Sequence, residues 1–148
     1  DVGSPSGLLI SPEHWRRYFR EPMAELIAAL RHERPELRLL FHSDGAYDEI
    51  LDDLVELGVN AINPVQPDHM DPLRIRRRYG SRLALWGTVG YQTTLALGSP
   101  AEIHAEVAHR LETLGPAALV LSPCYDLHEP PVPWRNLEAF LRAARELG

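Results

Sequence analysis

The chain has 148 residues, 45% of them hydrophobic and 24% charged, enough for one sizeable core and too much for a disordered tail or a disulfide-stapled miniature. All 15 basic residues are arginine, which excludes Schiff-base chemistry, a phosphate-loop lysine and a lysine general base from this segment. A net charge of −6, one cysteine and no apolar run near the ~20 residues that span a bilayer predict a cytoplasmic protein without internal disulfide, nucleic-acid partner or membrane contact.

Asp1 to Gly7 is a Gly/Ser/Pro-rich stretch without periodicity. Ser11 and Pro12 then read as cap and first residue of a helix carrying Trp15, Tyr18 and Phe19. Pro22 predicts a break before the pattern resumes at Met23, Leu26, Ile27 and Leu30. The run 37–41 reads as a buried strand ending in His42-Ser43-Asp44-Gly45, followed by a helix over Ile50 to Leu57 that Gly58 ends. A second strand covers Val59 to Val65, with Asp71-Pro72 opening the next helix and Gly80 closing it. A third strand covers Leu83 to Trp86, and a loop over Val89 to Gly98 leads to the capping box Ser99-Pro100-Ala101-Glu102. A fourth strand covers Ala118 to Leu121, and a Pro-rich loop over Glu129 to Pro133 precedes a last helix through Leu137, Phe140, Leu141 and Ala144.

The fold class is therefore α/β: a helix and four strand-helix units on a parallel sheet, in one segment over residues 1–148. Four units make half of a TIM-type (β/α)8 barrel, and an open doubly wound sheet also fits the pattern. In both architectures ligands meet the carboxyl ends of the strands. Those ends carry His42 and Asp44, Asn63 and Gln66, Trp86 and Thr88, and Cys124, Tyr125 and Asp126.

His42, Asp44 and Cys124 offer an imidazole, a carboxylate and a thiol, donors suited to zinc with an open position. The plainer alternative gives His42 a turn hydrogen bond, Asp44 a helix cap and Cys124 a buried apolar role. Tyr125 and Asp126 are candidate catalytic groups that also suit a turn. Asn63, Gln66, Trp86 and Thr88 are candidate substrate contacts.

Leu8-Leu9-Ile10-Ser11-Pro12-Glu13, Phe41-His42-Ser43-Asp44-Gly45, Gly58 to Gln66 with its ending Asn63-Pro64-Val65-Gln66, and Leu85-Trp86-Gly87 stand in the order of a known pattern. With the Gly98 to Glu102 helix start and the Pro123 to Asn136 ending, the chain resembles the C-terminal half of the uroporphyrinogen decarboxylase superfamily, which includes corrinoid-dependent methyltransferases. The resemblance implies half of a (β/α)8 barrel, belonging to an enzyme and forming part of a longer chain.

For the methyltransferase branch it implies a zinc ion held by a His-x-Cys motif and a distant cysteine, and a corrinoid or corrinoid protein as substrate or partner. His42 and Cys124 match that pattern, and Asp44 stands where the middle cysteine would be. For the decarboxylase branch it implies a tetrapyrrole substrate and no cofactor. Tyr125 takes the place of a histidine that contacts the tetrapyrrole, and the arginines that bind its carboxylates belong to the N-terminal half. One-carbon transfer is the leading expectation, tetrapyrrole decarboxylation the second, and a catalytically silent assembly module the third. Four strands leave two unpaired edges, so pairing with a missing N-terminal half-barrel or with a second copy is expected.

Overall fold

The computed structural model describes residues 1–124 and 132–148. The Gly/Ser/Pro-rich start folds into a short hairpin of β1 (Gly3–Ser4) and β2 (Gly7–Leu8). It lies on the loop after the first long-sheet strand, where the amides of Val2 and Gly3 donate to Ser43 Oγ at 3.0 and 3.2 Å. The approach is so close that a Cβ on Gly3 would stand 2.4 Å from the Asp44 carbonyl oxygen, so glycine is required there.

Ser11 accepts the His14 amide at 3.2 Å, and Pro12 takes the position where a helix needs no amide donor. The helix then runs through α1 (Pro12–Trp15), a π-type turn (Arg16–Arg20) and α2 (Glu21–Glu33). The break expected at Pro22 does not occur. Proline cannot make the ordinary bond to the preceding turn, and the wider turn directly before it accommodates that loss while the backbone stays helical. Continuity keeps Trp15 fully buried while Arg16 and Arg20 both reach Asp53, at 2.9 and 3.2 Å.

The four strand-helix units follow: β3 (Leu40–His42) with α3 (Leu51–Leu57), β4 (Ala61–Val65) with α4 (Pro72–Tyr79), β5 (Ala84–Val89) with α5 (Pro100–Leu114), and β6 (Leu119–Pro123) with α6 (Trp134–Leu147). The sequence placed the first strand too early, and the third runs on past Trp86 to Val89. A short 3-10 turn, Asp48–Ile50, precedes α3, and part of the expected loop, Tyr91–Leu95, is a π-type turn. The capping box forms as predicted, with Ser99 Oγ accepting the Glu102 amide at 3.3 Å and Glu102 accepting the Ser99 amide at 2.7 Å.

All pairings in the sheet are parallel, and the spatial order is β3-β4-β5-β6. A doubly wound sheet reverses its order at a switch point; strands whose spatial order follows chain order are the pattern of a barrel. Ile62 and Leu85, fully buried, sit with Phe41 and Leu119 in the larger core. The alternate positions face away from it, leaving Leu40, Trp86 and Val120 exposed at 46%, 39% and 44%. One sheet face is thus a core and the other is open.

A second core of Val89, Leu95, Ile103, Val107, Phe140 and Ala143 joins α5 and α6 to the end of β5. Asn136, fully buried, anchors it by donating to the carbonyls of Leu95 and Gly98 at 2.8 and 2.9 Å. Replacing Asn136 with Ala leaves both carbonyls without this donor, each worth about 1–3 kcal/mol when buried. The urea midpoint should fall with little change in slope; an unchanged midpoint would show that the amide carries no such role.

Candidate functional site at the strand ends

The carboxyl ends of the four strands border one cavity of about 290 Å³, lined by His42, Asp44, Asn63, Trp86, Ser122 and Cys124 together with Pro64 and Pro123. Groups about eighty residues apart in sequence meet there because parallel pairing brings every strand to the same end. His42 ends β3 and Asn63 lies opposite it in register on β4. Their side chains touch, with His42 Nδ1 at 2.7 Å from Asn63 Oδ1. An amide oxygen only accepts, so Nδ1 donates this bond, and in the neutral imidazole the lone pair lies on Nε2. The histidine's partner is thus across the sheet rather than in its own turn.

Nε2 faces a carboxylate. Asp1 Oδ1 lies 4.0 Å away and also accepts the Asp44 amide at 3.0 Å. One ligand atom from each of Asp1, His42 and Asp44 can be chosen so that all lie within 4.8 Å of one another. Asp1 carries no sequence signal: the hairpin brings it in, and the Ser43 hydroxyl that holds the hairpin reads in sequence as one more turn residue.

Cys124 borders the same cavity as a buried group, 2% exposed. Its Sγ donates to the Val65 carbonyl at 3.2 Å. Burial pushes the thiol well above its ordinary range, against a smaller opposing effect of a backbone hydrogen bond at Thr88. The thiol therefore stays protonated and turned toward the backbone, and among the described residues it does not join the His42 and Asp44 donors.

The other candidates divide. Asn63 and Trp86 line the cavity, and Trp86 presents an accessible indole. Gln66 is buried and accepts the Gly45 amide at 2.6 Å, which braces the loop carrying Asp44. Thr88 is fully buried with φ 77°, and its hydroxyl has no hydrogen-bond partner among the described residues. Gln66 and Thr88 both lie outside the cavity lining. Tyr125 and Asp126 lie outside the described residues.

With this geometry established, the relationships of the chain follow. Residues 3–147 match the family model for uroporphyrinogen decarboxylase (URO-D), so the chain belongs to that family. Among solved structures it is similar to a methyltransferase from Methanosarcina mazei, with a TM-score of 0.70 and 22% identity. The match covers 93% of this chain and 38% of the methyltransferase, so the chain spans well under half of that protein's length. That likeness confirms the fold as part of a TIM-type barrel. No significant match is found among curated proteins. Among the described residues, no helix is long and apolar enough to cross a membrane.

Proposed function

We propose that this chain supplies the C-terminal half of a barrel enzyme that transfers a methyl group to a small thiol or hydroxyl acceptor bound at His42. The observation that carries this reading is the charge character of the cavity. One carboxylate, Asp44, and one imidazole line it, a second carboxylate, Asp1, lies within 4.0 Å of that imidazole, and among the described residues its lining includes no arginine. Such a surface repels a polycarboxylate, and its imidazole offers a base to an acceptor that must lose a proton. In the transfer, the acceptor's sulphur or oxygen gives its proton to His42 Nε2 as it bonds to the methyl carbon. The bond from that carbon to the donor breaks, and its electron pair leaves with the donor. Asn63 holds the imidazole in the tautomer this step requires.

A thiolate-held zinc ion does not fit the residues present: Asp44 replaces one sulphur ligand, and the Cys124 Sγ is buried and turned onto the Val65 carbonyl. About 290 Å³ accommodates a small acceptor. A corrinoid, which as methyl donor would supply an activated methyl group, exceeds that volume and would meet this half across its mouth, beside Trp86.

The open sheet face supports a second part of the proposal, since parallel sheets are covered on both faces. Four further strand-helix units, from an N-terminal half or a second copy, would bury Leu40, Trp86 and Val120. In sedimentation, the chain alone should self-associate; a stable monodisperse monomer would contradict this.

Methyl transfer from methylcobalamin to a small thiol, measured on the completed barrel, tests the activity. His42→Gln should lower kcat by about 10²- to 10⁴-fold. Decarboxylation of a porphyrinogen in place of methyl transfer, or an unchanged rate in the variant, would overturn the reading.

A further inference from the structure

The lining of the rim cavity offers more than a base. We infer that this cavity selects an ammonium ligand, seated between the Trp86 indole and the Asp44 carboxylate. On the methyl-transfer reading, on which this assignment rests, the acceptor is an amino-thiol or amino-alcohol whose thiol or hydroxyl meets His42.

The first observation is aromatic. Leu40, Trp86 and Val120 all stand on the open sheet face, and of these only Trp86 lines the cavity. Its indole is 39% exposed, and its backbone is fixed by pairing opposite Val120 in the ladder between β5 and β6. The electron-rich face of an indole attracts an ammonium group more strongly than any other side-chain ring does. Pro64 and Pro123, which share the lining, bring no backbone N–H that would draw an anion instead.

The second observation is an unbalanced charge. Asp48, Asp52, Asp53, Glu56 and Glu106 each pair with an arginine. The Asp44 carboxylate pairs with none among the described residues, and the chain has no lysine to supply a cation. The loop that carries it is nevertheless held in place. Ser43 Oγ donates to the Asp44 carbonyl at 3.0 Å, and Gln66 accepts the neighbouring Gly45 amide at 2.6 Å. A fixed carboxylate without a counter-charge is complemented by a ligand that brings one.

Together the two features narrow the ligand. An indole face alone also accepts a neutral ring, and a carboxylate alone also accepts a hydrated ion. An ammonium group on a short chain satisfies both and leaves its other end for His42. About 290 Å³ keeps that chain short, and an anionic thiol would meet Asp44 with no cation beside it.

Calorimetric titration of the completed barrel with choline, a quaternary ammonium alcohol, and with the neutral alcohol that has carbon in place of its nitrogen, tests the inference without turnover. Choline should bind about tenfold more tightly. Trp86→Leu and Asp44→Asn should each lose most of that preference, with Trp86→Phe intermediate. Circular dichroism on each variant separates lost binding from lost folding. Equal affinities, no binding of choline, or a preference that persists in both folded variants would overturn the inference. Turnover separates it from the reaction. Methyl transfer to a neutral thiol as readily as to an amino-thiol removes the ammonium site and leaves the base role of His42. A choline preference without methyl transfer to any thiol keeps the ammonium site and removes the reaction.

Discussion

Parallel pairing is the constraint from which the rest follows. A parallel sheet can be continued only if each crossover returns the chain to the same end, and α3, α4 and α5 do this on one side of β3 to β6. Two consequences are unavoidable. Every strand delivers its last residues to one rim, so His42, Asn63, Trp86 and Ser122 share a cavity. The face away from the helices carries the alternate residues of each strand, and in four strands alone that face has nothing to cover it.

The polar chemistry of the rim rests on this register. Leu40 pairs with Ala61 and His42 with Asn63, so a shift of one residue would send the histidine into the helix-covered core and Phe41 to the open face. Fixed in place, the imidazole presents Nε2 to Asp1. The thiol is removed from this chemistry by its surroundings: the Val65 carbonyl takes its hydrogen bond, and Gly87, at φ 112°, lets the β5 backbone pass close to it.

Much of this was legible in the sequence because local rules govern it. Ser11-Pro12, Asp71-Pro72 and Ser99 to Glu102 cap helices through side chains within a few residues of the amides they satisfy. The apolar runs placed four strands, and the polar residues after them placed the rim. What was not legible depends on distant contacts. Asp1 reaches the site only because Ser43 holds the hairpin. Gln66 and Thr88 are turned from the cavity by packing that no spacing encodes, and the π-type turn before Pro22 arises from a helix accommodating its proline in place. The family resemblance supplied His42 and Cys124 as a pair, and burial of the sulphur separates them.

The proposed proton transfer depends on the lone pair at His42 Nε2, the ring nitrogen left free by Asn63. Nitrogen-detected NMR of the metal-free, ¹⁵N-histidine-labelled protein reads that atom directly. In neutral His42 the spectrum should show Nδ1 protonated and Nε2 bare, with the preference lost in Asn63→Leu. A proton on Nε2 of neutral His42, or the same tautomer with and without Asn63, would contradict it.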